Sequence, residues 1–214
     1  MSVESAALEN TVTLEATWRR VLRQGIILAI IMFSALGCYL IVLKWRGDAA
    51  QYITWTPWDE LIPFQPAWVW VYLLPYGIAP IVIGFLTPAT FWWFIRRGLV
   101  VIVITIAIFI VLPTQTATRP AHTLSPGLTA WMYEEMVKID EPPANAAPSL
   151  HVSLTCLLAL ALLCDFPRYW PLSVGCVLLV WAATLFTRQH HLIDVATGAS
   201  LAVAVSLIMG WRRA

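Results

Sequence analysis

The run GIILAIIMFSALGCYLIVL, Gly25–Leu43, contains no charged residue and is long enough to cross a lipid bilayer as one helix. Five further apolar runs follow it: Ala67–Leu86, Gly98–Leu112, Leu150–Leu163, Tyr169–Phe186 and Leu192–Trp211. Of the 214 residues, 60% are hydrophobic and 12% are charged, a far more apolar composition than that of a soluble domain. No alternating segments typical of a β-barrel occur, so helices are the spanning elements. The sequence predicts an all-α polytopic membrane protein with a bundle of six transmembrane helices.

Two of the six runs are short for a membrane span. A spanning helix has about 20 residues, with a usual range of about 17 to 25, and Gly98–Leu112 and Leu150–Leu163 become long enough only if neighbouring residues join their helices. The candidates for this extension are Phe91–Arg97 and Pro148–Ser149. The first large loop, Lys44–Pro66, is too rich in proline to form a continuous helix.

Basic residues are unevenly distributed between the two sides of the predicted bundle. With six spans both termini share a side, and that side carries most of the arginines: Arg19, Arg20, Arg23, Arg96, Arg97, Arg168, Arg212 and Arg213. The positive-inside rule therefore places both termini in the cytoplasm of a cell inner membrane, and the motif-bearing loops on the extracytoplasmic side. Residues 1–24 then form a cytoplasmic N-terminal segment, and residues 25–212 form a single six-helix membrane domain.

The long loop after the third span contains a predicted amphipathic helix. Ser125-Pro126 has the form of a helix cap followed by proline in the first turn. Four apolar residues then recur at helical spacing: Leu128, Trp131, Met132 and Met136. Such a helix lies on the outer leaflet, either as a lid or lateral gate for a lipid or as a loop anchored by its apolar face.

Two short stretches place imidazoles at the start of apolar runs: PSLH, Pro148–His151, and QHHLID, Gln189–Asp194. His190 and Asp194 are four residues apart and share one helix face. A carboxylate that accepts a hydrogen bond from one imidazole nitrogen leaves the other nitrogen free as a nucleophile. His191 is three residues from Asp194, so spacing alone does not choose between the two histidines.

The remaining polar residues near these motifs suit an anionic ligand. Ser149 is a predicted N-cap two residues before His151, and the free N–H groups of that helix start favour an anionic oxygen. Arg119 and Arg188 are fixed positive charges that can hold phosphoryl oxygens. No H-E-x-x-H motif or cysteine pair accompanies the histidines, so no metal and no cofactor is expected. A net charge of +1 gives no case for nucleic acid.

The order Arg119-Pro120, Pro148-Ser149-x-His151 and His190-x-x-x-Asp194 resembles the three-part signature of the type 2 phosphatidic acid phosphatase superfamily. Members of that superfamily are six-helix lipid phosphatases. Two further segments, Ala147–Val152 and Asp59–Phe64, resemble the branch that contains inositol phosphorylceramide synthases.

The resemblance implies a role for each motif residue. His190 would be the nucleophile, Asp194 its orienting carboxylate, and His151 the acid that protonates the leaving group. Phosphate would be bound by Arg119, with Ser149 and nearby backbone amides, including that of Leu150, assisting.

The sequence also departs from the family pattern. Leu112 stands where the family has a lysine seven residues before the arginine, and Ala183-Thr184 replace its Ser-Arg. Leu150 replaces a common glycine and narrows the approach to the backbone. Arg188, two residues before the histidine, is a candidate for the compensating charge.

These residues together predict a membrane lipid phosphatase. It would hydrolyse a lipid phosphate or diphosphate through a phosphohistidine intermediate without a metal, because arginine and imidazolium supply the positive charge. Its partners would be this substrate and the surrounding membrane lipids. Two alternatives stay open: a head-group phosphotransferase similar to inositol phosphorylceramide synthase, and a membrane protein without catalytic activity.

Overall fold

The structure, a computed structural model, describes residues 3–50, 52–116 and 124–210, with side chains from residue 15 onward and, after the gap at 51, from residue 54. It is mostly helical. Seven α-helices occur in these ranges: α1 Val3–Arg46, α2 Val69–Gly84, α3 Pro88–Val111, α4 Leu128–Ile139, α5 Leu150–Asp165, α6 Trp170–Phe186 and α7 Leu192–Ile208. Two strands of two residues each, β1 Tyr52–Ile53 and β2 Thr114–Gln115, pair in parallel between the helices.

Four segments are long and apolar enough to span a membrane: Glu15–Ala49, Pro66–Gly84, Pro88–Val111 and Pro167–Phe186. Helices α5 and α7, with 16 and 17 residues, are shorter. At 1.5 Å per residue they are about 24 and 26 Å long, against about 30 Å for the hydrocarbon layer. Four of the six predicted spans are thus long enough to cross the membrane. The two shorter helices are those that begin at the histidine motifs.

Several helix boundaries differ from the sequence prediction. Helix α1 is continuous from Val3, because the polar residues before Gly25 include no proline or glycine that would end a helix. Helix α3 begins at Pro88, as the predicted extension of the third run requires. Helix α5 does not gain Pro148–Ser149, because Ser149 has an extended backbone and is the N-cap.

The segment between α1 and α2 contains no continuous helix, as the prolines of Lys44–Pro66 predict. Single 3₁₀ turns occupy Gly47–Ala49, Pro57–Leu61, Pro66–Trp68 and Pro167–Tyr169. The predicted amphipathic helix is present as α4, but it begins two residues later than Ser125-Pro126 suggests, with Gly127 as its N-cap.

The core lies among α1, α2, α3, α5 and α7. Buried apolar side chains from all five helices form it, including Leu28, Ile83, Phe94, Leu157 and Ala202. The outward faces stay apolar, with Phe33, Val111 and Ile208 each more than 70% exposed. Large apolar surfaces on the outside of a bundle are typical of helices that face lipid.

Hydrogen bonds between helix ends stabilise the bundle at the end opposite the histidine motifs. The Asp165 carboxylate at the end of α5 accepts bonds from Thr87 N–H at 2.6 Å and from Thr90 Oγ1 at 2.5 Å. The Arg97 guanidinium donates to the Met209 carbonyl at 2.8 Å, where α7 ends. These contacts fix the neighbouring helix ends and hence the relative positions of α3, α5 and α7.

Candidate functional site

The His190 imidazole lies directly before α7, against the carboxylate of Asp194 in the first turn of that helix. The His190 Nδ1 to Asp194 Oδ2 distance is 3.4 Å, with 12% of the histidine side chain and none of the aspartate side chain exposed. This is ion-pair distance, without the alignment of a hydrogen bond. Because Nδ1 faces the carboxylate, Nε2 is the ring nitrogen available to a ligand.

His191 has different surroundings, although it is adjacent in sequence. Its Nδ1 is 2.8 Å from Thr54 Oγ1, and its backbone N–H donates to Asp194 Oδ2 at 2.7 Å. Burial lowers the pKa of its ring, and the nearby carboxylates of Asp194 and Asp59 oppose that shift. The structure therefore distinguishes the two histidines that spacing left equivalent: Nδ1 of His190 lies at ion-pair distance from the Asp194 carboxylate, whereas Nδ1 of His191 lies beside Thr54 Oγ1.

His151, in the first turn of α5, is enclosed by two tyrosines of α2. Its ring stacks on Tyr72 with centroids 4.5 Å apart and meets Tyr76 edge-on at 5.1 Å. Its Nε2 lies 3.0 Å from the Tyr72 carbonyl oxygen, and its Nδ1 lies 3.4 Å from the Tyr76 hydroxyl. A carbonyl oxygen only accepts, so Nε2 carries a proton and Nδ1 is the nitrogen open to exchange one.

The starts of α5 and α7 are in direct contact, which brings the two motifs together. Ser149 N–H donates to the Asp194 carbonyl at 3.0 Å. The Ser153 hydroxyl links the same helices by donating to the Gly198 carbonyl at 2.8 Å. A Cβ atom on Gly198 would lie 2.5 Å from the Ser149 carbonyl oxygen. Only a glycine at position 198 allows α5 and α7 to approach this closely.

His151 and His190 line one cavity of about 450 Å³. Most of its wall is apolar and comes from α1, α2, α3 and α5, including Leu28, Met32, Ile83, Phe94 and Leu158. Polar residues of the wall include the two histidines, Tyr39, Tyr76, Glu135, Asp140, Asn145 and Gln189. The cavity combines polar side chains near the histidine motifs with a long apolar wall, which suits an amphiphilic ligand.

The residues predicted to bind phosphate differ in their position relative to the cavity. Leu150 lines the cavity. The Ser149 hydroxyl is buried and accepts a hydrogen bond from Val152 N–H at 3.3 Å, so it caps α5. Arg119 lies outside the described residues, as does Pro120. Its predicted role stays a prediction.

Arg188 is engaged with the backbone of the proline-rich loop. Its Nη1 donates to the Asp59 carbonyl at 2.9 Å, and its Nη2 donates to the Ile62 carbonyl at 2.7 Å. Its side chain is not part of the cavity wall. In the structure this guanidinium links the segment before α7 to the proline-rich loop, and its predicted role as a compensating charge for phosphate stays a prediction.

Asp59 is a buried residue to which the sequence gave no role. Its carboxylate accepts bonds from Thr56 Oγ1 at 2.6 Å, Thr56 N–H at 2.8 Å and Leu192 N–H at 2.9 Å. Burial raises the pKa of Asp59, but these hydrogen bonds outweigh it and hold the pKa below its ordinary value. Through Leu192 this carboxylate fixes the start of α7, the helix that carries Asp194.

Tyr72, Tyr76 and Asn145 are further site residues that sequence reasoning missed. All three line the cavity, and both tyrosines contact His151. The tyrosines lie four residues apart in an apolar run, where the only available signal was a shared helix face. Asn145, six residues before His151, lies in an irregular loop, and no pattern marks it.

The chain matches no family model, no curated protein and no solved structure.

Proposed function

We propose that this protein is a membrane phosphatase that hydrolyses a lipid phosphate or diphosphate through a phosphohistidine at His190. One observation carries the proposal: imidazoles from two distant motifs, His151 and His190, line the same cavity, and the rest of its wall is mainly apolar. An amphiphile with a phosphorylated head group fits this distribution of polar and apolar surface. The motif resemblance to the type 2 phosphatidic acid phosphatases supports the same reaction.

His190 is the proposed nucleophile. Its Nε2 attacks phosphorus, and the bond between phosphorus and the lipid or leaving-phosphate oxygen breaks. The Asp194 carboxylate, 3.4 Å from Nδ1, stabilises the positive charge that the ring acquires. Water then attacks the phosphohistidine, releasing phosphate and restoring the neutral imidazole.

His151 is the proposed acid for the first step. Its Nε2 proton is held by the Tyr72 carbonyl, so the proton for the departing oxygen leaves from Nδ1. The buried ring takes up this second proton when the anionic phosphate group is beside it. Tyr76 Oη, 3.4 Å from Nδ1, is positioned to pass that proton on or to hold the ring in place. After the first step His151 is neutral at Nδ1 and can accept a proton from the attacking water.

Positive charge for the phosphoryl oxygens is assigned to Arg119, as the motif resemblance implies. Among the described residues that line the cavity there is no lysine or arginine. We place the histidine end of the bundle on the extracytoplasmic side, as the arginine distribution predicts. Substrate would then enter from the outer leaflet beside α4, whose Met132 and Met136 are part of the wall.

The test is an assay of the purified full chain against a panel of lipid phosphates and diphosphates in EDTA. Phosphate release and transfer to added alcohols are followed together, because transfer in place of release would identify a head-group transferase. We expect His190→Ala to lower the rate by about 1000-fold or more. His191→Ala, the matched neighbour, should keep most of the activity, since its ring faces Thr54. Equal rates for wild type and His190→Ala would contradict the proposal, and loss of release in EDTA would contradict metal independence.

A further inference from the structure

Asn145 is held rigidly in the loop between α4 and α5. The following residues pair with β2, since Ala146 N–H donates to the Thr114 carbonyl at 3.3 Å and Ala147 N–H donates to Thr114 Oγ1 at 2.8 Å. The backbone of Asn145 has a φ of 58°, a left-handed conformation that asparagine tolerates better than most residues. The position of its side chain is therefore fixed by the backbone on the C-terminal side.

The Asn145 side chain is buried without hydrogen bonds. It is 2% exposed and lines the cavity, and neither Nδ2 nor Oδ1 has a hydrogen-bond partner among the residues that the structure describes. Gln189, beside His190, is 3% exposed and also lines the cavity, and its Nε2 lacks a partner within the same described ranges. Burial of an amide without a partner costs free energy, so two such groups at one cavity point to a ligand that supplies the missing bonds.

A third buried side-chain amide in this chain has a hydrogen-bond partner, as buried amides usually do. Gln24 is 5% exposed, and its Nε2 donates to the Leu86 carbonyl at 3.1 Å, at the opposite end of the bundle. Its amide thus connects α1 to the end of α2 and has a structural role. Asn145 and Gln189, which line the cavity, thus differ from Gln24, whose amide links two helices.

We infer that Asn145 and Gln189 bind the phosphate group of the substrate through their side-chain amides. The inference rests on the proposed function and adds two binding residues to it. The two N–H donors, Asn145 Nδ2 and Gln189 Nε2, match phosphoryl oxygens. The Asn145 Oδ1 acceptor matches a P–OH group, which a phosphate monoester retains in part because its second pKa is near 6. The ligand class is therefore a terminal phosphate group that retains a P–OH, as a phosphate monoester does in its monoanionic form.

The test measures the Kd of inorganic phosphate by ³¹P NMR titration of the purified full chain in detergent, together with the thermal unfolding midpoint. Asn145→Gly removes the amide and tolerates the left-handed backbone. We expect a Kd about tenfold weaker, as for loss of one or two neutral hydrogen bonds, with the unfolding midpoint unchanged or higher. Asn145→Asp keeps the shape but repels the anion, so it should weaken binding further. Gln189→Leu should act like Asn145→Gly.

Gln24→Ala is the matched control, expected to lower the unfolding midpoint and leave the phosphate Kd unchanged. A Kd for Asn145→Gly and Gln189→Leu within twofold of wild type would overturn the inference, as would a lower unfolding midpoint with unchanged Kd. If wild type binds phosphate and releases it from lipids while these variants keep their Kd, only this inference fails. If wild type neither binds phosphate nor releases it, the proposed function fails and this inference fails with it.

Discussion

At positions 190 and 191 the chain has two adjacent imidazoles with different neighbours. The ring of His190 faces the Asp194 carboxylate and lines the cavity, whereas the ring of His191 is hydrogen-bonded to Thr54. An imidazole beside a carboxylate is the better nucleophile, because the carboxylate stabilises the cation that forms. Of the two, only His190 combines ion-pair distance to Asp194 with a place in the cavity wall, and it is therefore the proposed nucleophile.

Replacing Asp194 with asparagine tests this pairing. Asp194→Asn keeps the size of the side chain and an oxygen that can accept from His191 N–H, but it removes the negative charge beside His190. We expect phosphate release to fall by about 100-fold or more. Asp165→Asn, the control at the other end of the bundle, should lower stability because Asp165 accepts from Thr87 and Thr90, but it should leave the rate per folded molecule unchanged. An Asp194→Asn rate within threefold of wild type would contradict the pairing.

Asp59 gives a prediction about pH. Its folded-state pKa lies below the ordinary value of 3.8, so its ionised form is favoured by folding. This stability is fully present above about pH 4 and is lost as the pH falls through the folded-state pKa. Asp59→Asn should lower the unfolding free energy at pH 7 by about 1–3 kcal/mol and weaken its acid dependence.

The control for this measurement is Glu60→Gln, since Glu60 is the exposed neighbour of Asp59. Chemical unfolding of both variants at pH 7 and at about pH 2.5, below the ordinary carboxylate pKa, gives the comparison. Equal unfolding free energies for Asp59→Asn and Glu60→Gln at pH 7 would show that the Asp59 carboxylate does not stabilise the start of α7.

At the scale of the helices, the close contact between α5 and α7 positions both motifs. Gly198→Ala places a Cβ atom 2.5 Å from the Ser149 carbonyl oxygen and 3.2 Å from Ser149 N, so the helices must separate. We expect a loss of about 1–3 kcal/mol in unfolding free energy, and a lower turnover because His151 and His190 move apart. Gly175→Ala, in α6 with open space around it, should stabilise the protein by about 0.5–1 kcal/mol and leave turnover unchanged. Equal effects of both substitutions would show that the contact is not needed.

Sequence patterns predicted the helices more reliably than the connections between them. Apolar runs gave α2, α3 and α6. The spacing placed both His190 and His191 within reach of Asp194, and the structure shows that His190 is at ion-pair distance. The early start of α1 was missed because hydropathy does not report polar helical residues. Arg188 donates to two backbone carbonyls of a loop that lies 126–129 residues earlier in the sequence. No local sequence pattern predicts such a contact.

At the scale of the whole molecule, the two ends of the bundle are predicted to lie on opposite sides of the membrane. Lys138, exposed on α4, marks the histidine end, and Arg168, exposed before α6, marks the other end. In a variant without native cysteines, Lys138→Cys should react with a membrane-impermeant maleimide in intact cells. Arg168→Cys should react only after permeabilisation. The reverse pattern would place the histidine end in the cytoplasm, and reaction of both in intact cells would contradict a membrane-spanning bundle.

The central claim, that His190 forms a covalent bond to phosphorus, is tested most directly by oxygen exchange between ¹⁸O-labelled inorganic phosphate and water. A reversible phosphohistidine replaces labelled oxygens each time it forms and is hydrolysed, and no knowledge of the lipid is required. The account predicts loss of ¹⁸O from phosphate, followed by ³¹P NMR, with wild type and with His191→Ala but not with His190→Ala. Exchange by His190→Ala at the wild-type rate would contradict it.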